Sequence, residues 1–422
     1  MIGPSVPELV TFGCRLNAAE SETMCRLAAA SGLTDIAIVN TCAVTAEAER
    51  QARQAIRRLR RGNPDRTIVV TGCAAQIDPA AYAALPEADH VIGNAEKLQL
   101  ATWTGLRDGG RVRVGGILSD SPPPTVAVSA LRSRAFIEVQ QGCDHRCTFC
   151  IIPYGRGNSR SAALEDIAER IRGLVRGGVN EVVLTGVDLV SWGRDLPAAP
   201  SFASLLAGLL RAVPALPRLR LSSLDPAAID EAFIRLFAAE KRLMPHIHLS
   251  LQAGDDLILK RMKRRHSRAQ ALEAVVRLRE ARPDASFGAD LIAGFPTEDE
   301  TMFDRTCDLV ADAGLNFVHV FPFSARPGTP AARMPALPSA TVQARAARLR
   351  EAGARAQAAF LARQVGDTVA VIVERSGRRG LAENFAPVIL DRAAAPGSIV
   401  KTTITEATPD ALRGTVLTAA AA

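Results

Sequence analysis

The feature that most constrains the fold is a repeated alternation of short β-rich runs with helical runs in the middle of the chain. Between residues 130 and 355 this alternation occurs six times. The predicted strands are Phe136–Gln140, Glu181–Thr185, Leu219–Ser222, His246–Leu251, Ser286–Ile292 and Asn316–Phe321. Strand–helix alternation indicates an α/β fold in which helices cover parallel strands. Six units are too few for a closed eight-unit barrel. We therefore predict a partial (βα)6 TIM-like barrel across 130–360, with its chemistry at the carboxyl ends of the strands.

The residues before this region show the same alternation on a smaller scale. Between 7 and 105, three β-rich runs alternate with helical runs. The predicted strands are Leu9–Phe12, Ile36–Val39 and Ile68–Thr71, and the predicted helices are 18–31 and 45–61. Thr45 is expected to cap the second helix, and the acids that follow suit a helix N-terminus. The pattern predicts an open parallel α/β domain at the N-terminus.

The C-terminal region, 365–418, has no helical pattern. Its β-rich runs are separated by Gly, Pro and Asn turns, which is typical of a small β-barrel. The predicted strands are Thr368–Arg375, Leu381–Leu390, Ser398–Glu406 and Leu412–Leu417. Six basic and six acidic residues leave this region with a net charge near zero. Earlier in the chain, the turn at 108–110 and the Pro-rich run 119–125 predict a linker between the first two domains.

Composition and charge narrow the class of function. The net charge is +7 and the pI about 9.2, which suits a polyanionic partner such as nucleic acid. Aromatic residues make up only 4%, so base stacking is not expected to be the main binding mode. Residues 1–10 lack the pattern of a secretory signal, and the best apolar run, 202–216, is interrupted and shorter than a membrane span. We expect a soluble, cytoplasmic protein without membrane attachment.

Three cysteines follow the first predicted barrel strand. Cys143, Cys147 and Cys150 have the spacing C-x3-C-x2-C. Thiolates are the usual ligands of a [4Fe–4S] cluster, and three of them leave one iron open. A zinc site is the alternative, but structural zinc takes four protein ligands, and His145 is a poor fourth ligand in this context. The eight cysteines also permit disulfides, although a chain of 422 residues has no need of them.

The sequence around these cysteines resembles the radical S-adenosylmethionine (SAM) superfamily. The longer string Gly-Cys-Asp-His-Arg-Cys-Thr-Phe-Cys-Ile-Ile-Pro-Tyr-Gly-Arg-Gly-Asn-Ser-Arg, 142–160, resembles its methylthiotransferase family, and the resemblance covers nearly the whole chain. It implies that the open iron binds SAM. It also implies that SAM serves both as radical source and as methyl donor. No side chain is expected to act as a strong acid or base, so we assign no such role to His145 or Asp188.

A second group of cysteines lies in the N-terminal region. Cys14, Cys42 and Cys73 each follow a predicted strand. The carboxyl ends of neighbouring parallel strands meet at one edge of a sheet, so these residues are expected to converge. Buried cysteines that act as small hydrophobic residues are the alternative. The family resemblance implies an auxiliary [4Fe–4S] cluster at these positions. Cys25 and Cys307 lie in helical runs and are expected to have no role.

Motifs at the other strand ends are candidates for SAM binding. Each motif alone is weak evidence for SAM binding, but together they occur in the order that the family resemblance implies. The predicted SAM contacts are Phe149, Gly186, Asp188, Ser223, Ser250, Gln252, Gly294 and Phe321. Ser250 and Gln252 suit hydrogen bonding to polar groups, and Gly294 permits close approach of a ligand.

Two basic clusters are candidates for RNA contact. Helix 45–61 carries six arginines, which equally suit a solvated helix face. The second cluster follows the fourth barrel strand, where contacts with phosphates would position an RNA loop. Its predicted RNA-binding residues are Lys260, Arg261, Lys263, Arg264 and Arg265. The family resemblance adds that the C-terminal barrel is a TRAM-like RNA-binding domain.

Within the family, two segments resemble the branch that modifies N6-threonylcarbamoyladenosine at tRNA position 37. They are 11–22 and 319–335. The branch acting on isopentenyladenosine is the alternative, and the branch that modifies an aspartate of a ribosomal protein fits less well. The implied partners are a tRNA anticodon loop and a low-potential electron donor such as a flavodoxin or ferredoxin. The sequence leaves open the oligomeric state, a radical SAM enzyme with another substrate, and a non-catalytic RNA-binding protein with a structural metal.

Overall fold

The computed structural model describes residues 7–117 and 133–417. The predicted linker 119–125 and the last residue of the predicted C-terminal domain lie outside these ranges. Within them, no helix combines the length and apolar character needed to cross a membrane. The fold is the predicted α/β type, with a parallel N-terminal sheet, a partial barrel and a C-terminal β-barrel.

The N-terminal sheet contains five parallel strands in the order of the sequence, β1 to β5. The elements are β1 (Glu8–Thr11), α1 (Arg15–Ala30), β2 (Ile36–Thr41), α2 (Ala46–Gly62), β3 (Thr67–Gly72), α3 (Cys73–Ile77), α4 (Pro79–Ala83), β4 (His90–Ile92), α5 (Leu100–Thr104) and β5 (Val112–Arg113). The short strands β4 and β5 were not predicted, because two or three residues carry too little alternation to be recognised. Thr45 caps α2 as predicted, accepting a hydrogen bond from the backbone N–H of Ala48 at 3.1 Å.

The central region forms the partial barrel. Its elements are β6 (Ala135–Gln141), α6 (Ile152–Arg156), β7 (Arg160–Ser161), α7 (Leu164–Arg176), β8 (Glu181–Gly186), α8 (Phe202–Ala212), β9 (Arg218–Leu221), α9 (Glu231–Ala239), β10 (His246–Gln252), α10 (Asp256–Arg261), α11 (Arg268–Ala281), β11 (Ser286–Ala293), α12 (Glu300–Asp312), β12 (Phe317–Pro322) and α13 (Ser339–Ala362). The order β7-β6-β8-β9 continues through isolated bridges into β10-β11-β12. The six long strands run parallel to one another, as the alternation predicts, and only the short edge strand β7 is antiparallel to its neighbour within this described region.

Strand alternation separates the apolar core from the barrel interior. Ile137, Leu184 and Leu249 face the surrounding helices and belong to the largest hydrophobic cluster. The intervening positions, including Arg220 and Asp290, therefore face inward. Helix α9 begins at Glu231, because 226–228 form a 3-10 turn and Asp230 caps the helix.

The C-terminal region closes into a five-stranded barrel in the order β13-β14-β15-β17-β16. Its strands are β13 (Thr368–Val373), β14 (Arg379–Leu381), β15 (Pro387–Leu390), β16 (Ile399–Ala407) and β17 (Leu412–Val416). The prediction of a single strand over Leu381–Leu390 was wrong. The chain turns at 382–386, where Phe385 has φ +72° and the backbone N–H of Ala382 bonds to the Ala386 carbonyl. Because the residues on both sides of the turn are apolar, the hydrophobic pattern resembled that of one continuous strand.

The same turn closes the lower end of the partial barrel. Phe385 stacks on His246, the first residue of β10, with ring centroids 4.5 Å apart. Arg220 donates to the carbonyl of Glu383 at 3.1 Å and forms a buried bidentate pair with Glu181, at 2.8 and 3.2 Å. These residues belong to the amino-terminal ends of the strands or lie next to them. The C-terminal barrel thus forms a floor opposite the strand ends at which the sequence places the chemistry.

Candidate functional site

The loop after β6 carries Cys143, Cys147 and Cys150. Gly142 starts this loop with φ +74°, and a Cβ there would lie 1.8 Å from the carbonyl oxygen of Asn158. The N–H of Cys143 bonds to the Gly157 carbonyl at 3.0 Å, and the N–H of Cys150 bonds to the Cys147 carbonyl at 3.1 Å. The fold thereby holds the three thiols in one short loop at the carboxyl end of the first barrel strand.

Burial controls the protonation of the thiols in this loop. Burial, assisted by Asp188, raises the pKa of Cys143 to about 12, and burial raises that of Cys150 to about 11. Without metal these thiols are therefore protonated at neutral pH. Iron supplies the positive charge that three neighbouring thiolates require, and its binding releases their protons.

His145 lies within the same site. Its Nε2 is 2.8 Å from Oδ2 of Asp188, and the ligand atoms of Cys143, His145 and Asp188 lie within 4.8 Å of one another. The sequence indicated no such proximity, since His145 and Asp188 are far apart along the chain. Although burial alone would raise the pKa of Asp188, its contact with His145 and the hydrogen bond from Ser191 lower it. Asp188 therefore stays ionised and carries negative charge into the mouth of the barrel.

The residues predicted to contact SAM lie around this mouth. Gly186 and Ser250 lie at or near the ends of β8 and β10, and Gly294 directly follows β11. Gln252 and Gly294 have positive φ, +72° and +77°. At Gly294 an added Cβ would lie 2.8 Å from a methyl group of Val342, so the close packing of α13 requires glycine. The other predicted contacts at this mouth are Phe149, Asp188, Ser223 and Phe321.

The N-terminal cysteines converge at one edge of their sheet. Thr41 pairs with Gly72, so Cys42 and Cys73 follow directly opposite positions on β2 and β3. Cys14 follows the end of the adjacent strand β1. A Cβ on Gly13 would lie 2.7 Å from the Cys42 sulfur, which shows how closely the first two segments approach each other. Burial raises the pKa of Cys42 to about 12.

The two groups of cysteines lie close to each other across the domain boundary. Helix α6, which follows the Cys143–Cys150 loop, packs against α3, which begins at Cys73. A Cβ on Gly155 would lie 3.3 Å from the Cβ of Cys73. All eight cysteines are free thiols, so disulfides do not explain these groups. Cys25 and Cys307 lie apart from both groups, on α1 and α12.

The basic residues predicted to bind RNA divide into two kinds. Lys260 and Lys263 are exposed at the mouth of the barrel, and Arg265 is exposed there but donates to Asp225 at 3.1 Å. Arg261 donates to the side-chain hydroxyl of Thr297 at 2.8 Å. Arg264 is directed inward. Its guanidinium bonds to Asp225 at 3.1 Å, to the Ser250 carbonyl at 2.7 Å and to the Cys147 sulfur at 3.8 Å.

The sequence reasoning missed a network of buried ionic groups between the two domains. Glu20 is fully buried and accepts hydrogen bonds from Arg156 and Lys97. Arg156 lies within the string 142–160, Glu20 lies in the segment 11–22 and Lys97 lies in no motif, so only the tertiary fold brings them together. Tyr154 was also missed. It is exposed on α6, whereas Arg156 on the same helix is buried.

The fold and these cysteine groups define the class of a two-cluster radical SAM enzyme, and comparisons with known proteins agree. Residues 137–310 match the radical SAM superfamily, and residues 8–93 match an uncharacterized protein family, UPF0004. A radical SAM methyltransferase, TsrM of Kitasatospora setae, has a similar fold, with a TM-score of 0.52 at 17% identity over 75% of this chain and 68% of its own.

Three similar relatives carry names of tRNA-modifying enzymes. The threonylcarbamoyladenosine tRNA methylthiotransferase of Rickettsia prowazekii is 50% identical over 396 residues, 93% of each chain. The enzyme of the same name from Aquifex aeolicus is 33% identical, over 93% of this chain and 98% of its own. A tRNA-2-methylthio-N(6)-dimethylallyladenosine synthase of Cereibacter sphaeroides is 34% identical, over 96% of this chain and 97% of its own.

The chain therefore belongs to the radical SAM methylthiotransferase family. It is an enzyme of that family, and its cofactors are SAM and two [4Fe–4S] clusters. The two groups of three thiols fit these cofactors, because each group leaves one position of a cluster open to another ligand.

Proposed function

We propose that the enzyme adds a methylthio group to carbon 2 of N6-threonylcarbamoyladenosine at position 37 of tRNA. The 50% identity with the Rickettsia enzyme of that name, across 93% of both chains, is the observation that carries this assignment. Isopentenyladenosine is the second candidate substrate, because relatives named for dimethylallyladenosine align over 96% of the chain. The aspartate of a ribosomal protein is the weakest alternative. A cytoplasmic location follows from the proposed tRNA substrate.

We assign the ligands of the two clusters to the two groups of cysteines. Cys143, Cys147 and Cys150 hold the cluster that binds SAM, and Cys14, Cys42 and Cys73 hold the auxiliary cluster. When bound, these groups and SAM supply a 5′-deoxyadenosyl radical, the sulfur and the methyl group. A low-potential donor such as a flavodoxin or ferredoxin provides the electrons.

The chain's own residues orient SAM and exclude water. Asp188, held by His145 and Ser191, presents a carboxylate to the amino group of SAM. Ser250 and Gln252 offer polar groups on β10, and the floor formed by the C-terminal barrel closes the far end against solvent. This closure protects a reactive intermediate. The remaining predicted SAM contacts that we retain are Phe149, Gly186, Ser223, Gly294 and Phe321.

The mouth of the barrel suits an anticodon loop. Lys260 and Lys263 offer positive charge to phosphates, and Tyr154 offers an exposed ring on α6, on which an unstacked base can rest. We place Arg264 with the SAM-binding cluster, since its guanidinium faces Cys147. In the C-terminal domain, exposed arginines 375, 378 and 379 support an RNA-binding role at a distance from the mouth.

Substrate choice is tested with two tRNA substrates in one reaction. We expect reconstituted enzyme to convert a tRNA bearing N6-threonylcarbamoyladenosine and to leave a tRNA bearing isopentenyladenosine unchanged, because one active site discriminates between a polar and an apolar side chain. Mass spectrometry of the digested nucleosides measures both products. Conversion of isopentenyladenosine alone would establish the second candidate, and failure with both tRNAs would exclude the proposed substrate.

The contact with RNA phosphates has its own test. We expect Lys260→Gln combined with Lys263→Gln to weaken binding of an anticodon stem-loop and to reduce the slope of log K against log salt concentration by about 2, roughly 1 per lost phosphate contact. Fluorescence anisotropy at several salt concentrations measures the slope. Arg211→Gln combined with Lys241→Gln removes two exposed charges elsewhere and is the matched control. An equal loss of RNA affinity and of salt slope in both double variants would show that binding depends only on the overall charge of the protein.

A further inference from the structure

A buried ionic network joins the two cluster-bearing domains. Glu20 on α1 accepts two hydrogen bonds from Arg156 on α6, at 2.8 and 2.9 Å. It also accepts one from Nζ of Lys97 at 2.8 Å. The side chains of Glu20 and Lys97 are 0% exposed and that of Arg156 is 2% exposed. Charges so far from water are stable only where their surroundings supply compensating charge and hydrogen bonds.

Two asparagines connect this network to the N-terminal cysteines. Lys97 donates to Oδ1 of Asn94 at 2.6 Å, and Nδ2 of Asn94 lies 3.9 Å from the sulfur of Cys73. Arg156 donates to Oδ1 of Asn17 at 2.6 Å. Nδ2 of Asn17 in turn donates to the carbonyls of residues 12 and 41, at 2.8 and 3.1 Å, which lie in the segments leading to Cys14 and Cys42. Each of the three cysteines, or the segment leading to it, is therefore connected to a buried cation through an asparagine.

The network carries more positive than negative charge. Arg156 and Lys97 share one carboxylate, Glu20, whose pKa they lower to about 2 although burial alone would raise it. A second carboxyl, Glu138, reaches the network through Gln141, at 2.7 Å. Burial, followed by the charge of Glu20, raises the pKa of Glu138 to about 7, so this group has at most a partial negative charge at neutral pH. An anion beside the network would balance the excess, and the segments that carry Cys14, Cys42 and Cys73 lie there.

We propose that Arg156 and Lys97, held by Glu20, are positioning residues that supply the positive charge needed to stabilise the reduced, more anionic form of the auxiliary cluster. The inference rests on the proposed assignment of Cys14, Cys42 and Cys73 as its ligands. Because Arg156 belongs to the barrel domain while Glu20 and Lys97 belong to the N-terminal domain, docking of the two domains assembles the charge environment of the cluster. An electrostatic role of this kind acts on the cluster's reduction potential as well as on its retention.

The alternative is that Arg156 only fastens the two domains together. A variant series in a Cys143→Ala/Cys147→Ala/Cys150→Ala background separates the two roles, because that background leaves only the auxiliary cluster. Arg156→Gln removes the charge, and Arg156→Lys keeps it while losing the bidentate geometry. Arg220→Gln is the matched control, since Arg220 also forms a fully buried bidentate pair, with Glu181, but at the opposite end of the barrel.

The measurements are the midpoint potential of the cluster, the rate of iron loss to a chelator, and the melting temperature. We expect all three arginine variants to melt earlier. Only Arg156→Gln should move the potential to a more negative value, because loss of a nearby positive charge makes addition of an electron less favourable. Iron retention in that variant should weaken by about 10–100-fold, and Arg156→Lys should restore the potential to near that of the background.

Two outcomes would overturn the inference in distinguishable ways. Equal potentials in the background, Arg156→Gln and Arg220→Gln proteins would show that Arg156 is a structural link alone, with the cluster assignment intact. A background protein that binds no iron at all would overturn the ligand assignment itself and the inference with it. Neither result depends on which tRNA the enzyme modifies.

Discussion

Replacing Cys14, Cys42 and Cys73 together by alanine is expected to abolish methylthio transfer to tRNA while the enzyme still cleaves SAM. We assign the SAM-binding cluster to a different loop, whose backbone hydrogen bonds to residues 157 and 262 do not involve the N-terminal strand ends. Reductive cleavage therefore remains, but the sulfur-carrying cluster is lost. Chromatography of 5′-deoxyadenosine measures the first activity, and nucleoside mass spectrometry measures the second.

Replacing Cys143, Cys147 and Cys150 by alanine is the complementary variant, and both products should then fall below detection. The matched control is Cys25→Ala with Cys307→Ala, which removes two partly buried thiols from helices and should preserve both activities. Methylthio product from the N-terminal triple variant would contradict the assignment, because a sulfur source other than the auxiliary cluster would then suffice.

Glu181→Gln is expected to have the largest effect on stability, about 3–5 kcal/mol, which is the usual cost of removing one partner from a buried ion pair. Its carboxylate faces three arginines beneath the barrel. The distances are 2.8 Å to Arg220, 3.6 Å to Arg218 and 4.0 Å to Arg134. The amide leaves these cations without their shared anion and loosens the floor, since Arg220 also holds the carbonyls of residues 382 and 383.

Urea denaturation measures the loss, and hydrogen exchange of 382–386 reports the loosened floor. Glu169→Gln, which breaks a surface contact with Arg172, is the control and should leave the urea transition unchanged.

The stability that Glu181 contributes should also depend on pH. Burial alone would raise the pKa of Glu181, but Arg220 and its neighbours lower it. Its stabilising contribution is therefore complete at neutral pH and is lost as pH falls through that lowered pKa. An unchanged urea midpoint for Glu181→Gln would contradict the predicted loss of stability, because it would show that the three arginines find other partners.

Much of the architecture could be predicted because each strand and helix carries its own local pattern. The six barrel strands and the three long N-terminal strands lie where alternation of residue types predicts them. Convergence of Cys14, Cys42 and Cys73 at one sheet edge also follows from a local rule, since parallel strands end together. Residues whose positions depend only on the local pattern of strands and helices could therefore be predicted from the sequence.

Features that arise from packing between distant segments of the chain could not be predicted from the sequence. The turn at 382–386 is flanked by apolar residues on both sides, so the segment resembled a continuous strand. Arg264 belongs to a basic run that suggested a surface, but Asp225 draws its guanidinium inward. The contacts among Glu20, Lys97 and Arg156 join three separate segments, and no local pattern marks a charge that becomes buried only on folding.

The central claim is that each chain holds two clusters, one on each group of cysteines. Iron and sulfide content of the anaerobically reconstituted enzyme, measured beside the Cys14→Ala/Cys42→Ala/Cys73→Ala variant, tests it most directly. The account predicts about eight irons per chain, falling to about four in the variant. About four irons in the enzyme, with none lost in the variant, would contradict it and leave the N-terminal cysteines as structural residues.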